Sequence, residues 1–157
     1  MFARNAPSPD LHLTFPADPL SVRCALLQVM AGLHPLAAPS DLRSELELVL
    51  AEVLNNIVEH AYAGGQDAAC PGDGIDMQIT FLPDMLLFHI SDQGTAMPGG
   101  QLPAGKQARL SVPLETLPEG GFGWFLIHAL TRDLTYCREG SHNRLRFSLE
   151  WSGSGRP

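Results

Sequence analysis

The chain has 157 residues, of which 45% are hydrophobic and 17% charged, and its formal net charge at neutral pH is −7. This length predicts one globular domain whose core needs no disulfide or metal to stabilise it. The acidic residues are scattered and no concentrated basic patch is present, which argues against nucleic acid as a partner.

Cysteine usage and hydropathy indicate a cytoplasmic protein. Cys24, Cys70 and Cys137 are far apart, include no CxxC pair and are therefore expected to be free thiols. No apolar run approaches the length of a membrane span, and the first residues lack the apolar segment of a signal peptide. We therefore expect no membrane partner.

Hydrophobic periodicity predicts an α+β sandwich, with a mostly antiparallel sheet and helices on one face. Residues 1–10 and 152–157 are expected to be disordered around a single domain at 11–151. The predicted elements are a strand at 12–15, helices at 20–32 and 40 to about 62, strands at 75–81 and 85–92, a helix from 121 to about 132, and a hairpin from 134 to about 150. Ser40 or Asp41 is the expected N-cap of the long helix. In the last strand Leu145, Phe147 and Leu149 are expected to face inward, and Arg144, Arg146 and Ser148 outward.

The long helix carries three polar residues at four-residue steps. Glu52, Asn56 and His60 share one face beside an apolar stripe, so they lie along the margin of the core. A carboxylate can accept a proton and an amide oxygen can bind a hard cation. The alternative is a polar helix edge without a ligand, with His60 as a structural hydrogen-bonding residue.

A second candidate site follows the strand at 85–92. Asp92 ends that strand and Gly94 lets the backbone approach a ligand, so the carboxylate can accept a hydrogen bond from an exocyclic amine. A plain strand-to-turn transition is the alternative. Residues 93–119 have no periodicity and contain four prolines, and an unstructured stretch of this length is more often a functional lid than a connector.

Three glycines lie at the N-terminus of the helix predicted to start at 121. Gly120, Gly121 and Gly123 leave free amides at its N-terminus, which is a ready anion site, unless they form only a glycine-rich helix entry. Residues 100–107 come close to a phosphate-binding loop, but Gln107 stands where a hydroxyl must reach magnesium, so such a loop is not supported. Lys106 is either a solvated loop residue or a lid residue that approaches phosphates.

In combination these motifs resemble the GHKL (Bergerat-fold) ATPases, and more closely their anti-sigma-factor serine kinases. The matching segments are EVLNNIVEHAY at 52–62, DQG at 92–94, EGGFGWFLI at 119–127, DLTY at 133–136 and NRL at 143–145. The resemblance covers residues 10–150, and it implies ATP and Mg²⁺ as cofactors.

The resemblance also implies roles for single residues. Glu52 is the general base, Asn56 binds Mg²⁺, and Asp92 and Gly94 receive adenine. The phosphates are lined by Gly121 and Gly123, and the remaining nucleotide-binding candidates are His60, Ala96 and Lys106. Two residues depart from the family pattern. Ala96 replaces a glycine, and we expect it to stiffen the lid hinge or to narrow the pocket. Trp124 replaces a leucine and is expected to change packing only.

The function implied by this resemblance is that of an ATP-dependent serine-protein kinase acting as an anti-sigma factor. It would phosphorylate a STAS-domain antagonist on serine and sequester a sigma factor, with a homodimer as one state to expect. Two alternatives stay open: a non-catalytic ATP-binding module that switches partners, and the detached ATPase domain of a histidine-kinase-like system.

Overall fold

The computed structural model describes residues 8–61, 74–104 and 122–151. In chain order their elements are β1 (Leu11–Pro16), α1 (Pro19–Gly32), α2 (Ser40–Asn56), β2 (Gly74–Phe81), β3 (Met85–Asp92), α3 (Phe122–Leu130), β4 (Arg132–Glu139) and β5 (His142–Glu150). A π turn, Ile57–Ala61, follows α2. The predicted α+β class and the order of the elements are confirmed. None of the described helices combines the length and hydropathy that a membrane span requires.

The five strands form one sheet in the order β1-β2-β3-β5-β4, and every neighbouring pair is antiparallel. Alternate side chains of β2, β3 and β5 point toward the helices and are buried. At the centre Phe88 of β3 lies opposite Phe147 of β5, and their rings stack with centroids 4.8 Å apart. The apolar core therefore lies between one face of the sheet and the helices.

Helix α2 supplies the largest helical share of that core. Its buried side chains are Leu42, Leu46, Val49, Leu50, Val53 and Leu54, which recur at helical spacing. Helix α1 starts at Pro19 after Asp18, whose side chain accepts a hydrogen bond from the Ser21 amide at 2.8 Å. The predicted cap of α2 was wrong, because Pro39 occupies the N-cap position and makes no side-chain hydrogen bond there.

Three boundaries differ from the predictions. The α-helical part of the long helix ends at Asn56, because a π turn replaces its last turn. Helix α3 ends at Leu130 because β4 already begins at Arg132. At the N-terminus, Asp10 lies in the predicted disordered segment, yet its carboxylate accepts a hydrogen bond from the Phe81 amide at 2.6 Å.

Ser148 was predicted to face solvent, but it is buried. A register irregularity lies between Arg132 and Thr135 of β4, and the Ser148 hydroxyl donates to the Arg132 carbonyl at 3.4 Å. Residues 1–7, 105–119 and 152–157, which the sequence assigned to disordered ends and to part of a lid, lie outside the described residues.

The stacked pair at the centre of the sheet gives a prediction about stability. Phe88→Ala removes a fully buried ring from its stack with Phe147, so we expect the free energy of unfolding to fall by about 3–5 kcal/mol. Leu27→Ala is the control, because Leu27 is 64% exposed and its change should stay within about 0.5 kcal/mol. Urea unfolding measures both, and equal losses would contradict this account of the core.

Candidate functional site

A cavity of about 380 Å³ lies between the C-terminal end of α2, the end of β3, the start of α3 and the β4–β5 edge. Its wall is apolar over much of its extent and carries a few polar side chains, as small-molecule sites do. The lining residues are Val53, Asn56, Ile57, His60, Asp92, Thr95, Ala96, Met97, Pro98, Pro103, Trp124, Tyr136, Asn143 and Leu145.

Asn56 is the last residue of α2 and is half-buried against this cavity. Its amide nitrogen is buried and has no hydrogen-bond partner among the described residues. A buried polar atom without a partner is costly, so it is expected where a ligand completes the site. The π turn that follows contributes Ile57 and His60 to the same wall, and such turns are frequent at functional sites.

Gly123 lies in the first turn of α3, beside Glu52 and Asn56 of α2. A Cβ added at Gly123 would collide with Oε2 of Glu52 and would come within 3.8 Å of the Asn56 amide nitrogen. Glycine therefore lets α3 begin this close to the two polar groups without displacing the Glu52 carboxylate. Glu52 does not line the cavity itself, but its carboxylate lies where the cavity meets the N-terminus of α3.

Asp92 is buried at the end of β3, with 6% of its surface exposed. Its Oδ1 accepts hydrogen bonds from the Gly94 amide at 2.8 Å and from the Asn143 side chain at 2.9 Å. Burial raises the pKa of this carboxyl above its ordinary value, although those hydrogen bonds and the nearby charges of Arg138 and His142 act in the opposite direction.

Asn143, on β5, lies opposite Asp92 in the sheet register. Its Nδ2 donates to Asp92 and also approaches the carbonyl oxygens of Gly94 at 3.2 Å and Thr95 at 3.1 Å. One amide therefore holds both the carboxylate and the backbone that leaves β3.

The other end of the Asn143 amide is held from β4. Its Oδ1 accepts hydrogen bonds from the Tyr136 hydroxyl and from Arg138 Nη1, both at 2.7 Å. Tyr136 in turn accepts from the Met97 amide at 3.0 Å, and Arg138 also donates to the Gly94 carbonyl at 2.9 Å. These contacts fasten the first residues of the predicted lid to the sheet.

Ala96 and Trp124, the two departures from the family pattern, both line the cavity. Ala96 does not have a positive φ, so its backbone does not require glycine, and its methyl group narrows the site. Trp124 belongs to the core as well as to the cavity wall, and that it changes packing only stays a prediction. Near it, the ring nitrogen Nε2 of His128 lies 2.8 Å from the Pro103 carbonyl oxygen.

The structure thus brings together four of the predicted residues around one cavity, namely Asn56, His60, Asp92 and Ala96. Gly94 contributes its backbone to the Asp92 network, and Gly123 lies against Glu52 and Asn56. Lys106 and Gly121 lie outside the described residues.

Asn143, Tyr136 and Arg138 were not among the predicted site residues. One signal in the sequence pointed to Asn143: it shares the inward parity of Leu145 and Phe147, and a polar side chain on the inward face of a strand needs partners. A second signal was the resemblance, whose matching segments at 133–136 and 143–145 contain Tyr136 and Asn143. Arg138 lies outside those segments, and its role depends on the pairing of β4 with β5.

The sequence profile of the histidine kinase-like ATPase domain matches residues 15–149. The chain belongs to this family. Its sequence is 27% identical over 128 residues to the serine-protein kinase RsbW of Oceanobacillus iheyensis, covering 79% of this chain and 76% of that protein.

A solved structure supports the fold. The crystal structure of the RsbU and RsbW domains of Rv1364c from Mycobacterium tuberculosis matches with a TM-score of 0.56 and 16% identity. The match covers 94% of this chain, which spans about a third of that protein (33%). Together with the family profile, these comparisons confirm the resemblance to RsbW-like GHKL ATPases.

The close approach at Gly123 gives a prediction about the position of Glu52. Gly123→Ala places a methyl group on Oε2 of Glu52, so the flexible carboxylate must move while the fold changes in stability by no more than about 1 kcal/mol. NMR of the Glu52 carboxyl carbon measures the displacement. The control is Gly32→Ala, where an added Cβ would meet only Leu11 at an ordinary 3.6 Å. An unchanged Glu52 signal in Gly123→Ala would contradict the geometry.

Proposed function

We propose that the chain is an ATP- and Mg²⁺-dependent serine-protein kinase that acts as an anti-sigma factor. The observation that carries the proposal is the juxtaposition of Glu52, Asn56 and Gly123, because it combines a carboxylate, an unpartnered amide and the start of a helix at one end of a cavity. The other end carries Asp92, whose carboxylate can recognise a base. These groups match the base, the phosphates and the cation of a nucleoside triphosphate bound with Mg²⁺.

The adenine end of the proposed site is built on Asp92. Two donors already occupy its Oδ1, so Oδ2 is the oxygen that accepts from the exocyclic amine of adenine. We assign the nearby wall, including Gly94, Ala96 and His60, to the base and the sugar. The surrounding apolar residues exclude water and so strengthen that hydrogen bond.

The phosphate end is built on the first turn of α3. Free backbone amides and the positive end of the helix dipole favour an anion at that position. Gly123 allows the phosphates to come close to the groups on α2. We also assign Gly121 and Lys106 to the phosphates, on the resemblance alone.

Asn56 is the residue that would hold Mg²⁺. Its side-chain amide has no described partner that fixes its orientation, so its oxygen can turn toward a cation. The described residues include no group of three or more His, Cys, Asp or Glu able to hold a metal. One amide ligand suits Mg²⁺, which usually keeps waters and takes its other ligands from phosphates. When bound, Mg²⁺ neutralises the charge that develops on the phosphates.

Glu52 is the proposed general base. Its carboxylate accepts the proton of the substrate serine hydroxyl as the serine oxygen bonds to the terminal phosphorus and the bond from that phosphorus to the ADP oxygen breaks. Its place beside the N-terminus of α3, where we assign the phosphates, supports this role. Base recognition and chemistry are therefore assigned to separate parts of the cavity.

The proposed protein partners follow from the resemblance to anti-sigma-factor kinases. We propose that a STAS-domain antagonist is the serine substrate and that a sigma factor is the sequestered partner, which would place the chain in the cytoplasm, as a monomer or a homodimer. The similarity to a protein named serine-protein kinase RsbW supports serine as the phosphorylated residue, and the partners rest on the resemblance alone. The rival function is a module that binds ATP and partners without transferring phosphate.

The two ends of the cavity should respond differently to substitution. Asn56→Ala should remove the part of ATP affinity that depends on Mg²⁺, while Asp92→Ala should weaken ATP and ADP alike, because adenine recognition does not involve the third phosphate. Isothermal titration calorimetry with and without Mg²⁺ measures both. Wild-type affinity that is the same with and without Mg²⁺ would contradict the metal assignment.

Glu52→Gln tests whether the chain is a kinase or a non-catalytic ATP-binding module. The substitution keeps size and removes the base, so phosphoryl transfer should fall roughly 10²–10⁴-fold while ATP affinity changes little. The assay is transfer of labelled phosphate from ATP to a candidate STAS-domain protein. Glu47→Gln, at an exposed position of the same helix, is the matched control. If the wild type binds ATP and the partner but transfers no phosphate, the chain is a binding module.

A further inference from the structure

The hydrogen bonds of Asn143 leave a single orientation for its amide. Arg138 can only donate, so the end that it contacts must be the oxygen. The opposite end of the amide faces Oδ1 of Asp92 and the carbonyl oxygens of Gly94 and Thr95. Because a carbonyl oxygen can only accept, that end of the Asn143 amide must be the nitrogen. The geometry therefore fixes Oδ1 of Asp92 as a hydrogen-bond acceptor.

We propose that Asn143 is a positioning residue that keeps Asp92 an acceptor and thereby gives the cavity its preference for a purine with an exocyclic amino group. The inference rests on the proposed function, since it concerns the base of the bound nucleotide. Asn143 occupies Oδ1 and leaves Oδ2 for the ligand. It also fixes the Gly94 and Thr95 backbone at the point where the chain leaves β3 and enters the cavity wall.

The environment of Asp92 explains why the Asn143 amide affects its protonation. Burial favours the protonated carboxyl and raises its pKa, and the Asn143 and Gly94 hydrogen bonds counteract that effect together with the charges of Arg138 and His142. Among the described residues that line the cavity, the other titratable groups are His60, from the π turn, and Tyr136, from β4. A protonated Asp92 would present a donor in place of an acceptor to the amine of the base.

Asn143→Asp tests the inference with almost no change in side-chain shape. The introduced carboxyl keeps an oxygen for Tyr136 and Arg138 but replaces the amide donor that faces Asp92. Two adjacent carboxyls share one proton at low pH, and the introduced group can then donate to Oδ1 as the amide does. When that proton is lost, two carboxylates face each other and the acceptor is no longer held in place.

The experiment measures, at a series of pH values, the affinity for ATP and for purine riboside triphosphate, which lacks the exocyclic amine. The wild type should prefer ATP by about tenfold or more, as a hydrogen bond to a charged group implies, and should lose that preference only as the pH falls through the pKa of Asp92. Asn143→Asp should instead lose the preference as the pH rises, so the two pH profiles have opposite slopes.

Two further variants complete the design. Arg144→Gln is the control, because Arg144 is exposed on the other face of β5 and should keep the wild-type preference and pH profile. Asn143→Ala, checked for folding by its thermal unfolding, should have a reduced preference at every pH. Identical pH profiles for Asn143→Asp and the wild type would overturn the role of Asn143 alone. A wild type that binds neither nucleotide would instead overturn the proposed function.

Discussion

The register of β3 against β5 is the constraint on which both the core and the candidate site depend. The same pairing places Phe88 opposite Phe147 in the core and Asp92 opposite Asn143 at the edge of the cavity. A slip of one residue would turn the apolar side chains of one strand toward solvent, so burial of the core enforces the register. The hydrogen bond between Asp92 and Asn143 is therefore a consequence of apolar packing several residues away.

The fold could be predicted from the sequence because its signals are local. Alternation in β2, β3 and β5 and a helical stripe in α2 indicate most of the buried residues, and the element order then follows. The errors occurred where tertiary contacts or irregular backbone, not local sequence patterns, determine the structure. Ser148 has the outward parity of its strand, yet the irregular pairing with β4 covers it, and the π turn after Asn56 breaks a pattern that reads as continuous helix.

The candidate site was only partly predictable, for a related reason. Glu52, Asn56 and Asp92 stand in local motifs, whereas the contacts that arrange them join residues distant in the chain. Gly123 meets Glu52 only because α3 packs against α2, and the Asn143 network exists only because β5 lies between β3 and β4. Propensity and periodicity contain no information about such contacts, so these partners emerge only from the tertiary structure.

Asp92 also shows how the site conflicts with stability. Because burial raises its pKa in the folded chain, its contribution to stability is greatest below the unfolded pKa and is lost as the pH rises through the folded pKa. When it is ionised, the carboxylate therefore destabilises the fold, and the hydrogen bonds from Asn143 and Gly94 reduce that cost without removing it. A protein selected only for stability would place an apolar residue there, so a buried carboxylate with one oxygen left for a ligand is itself an argument for binding.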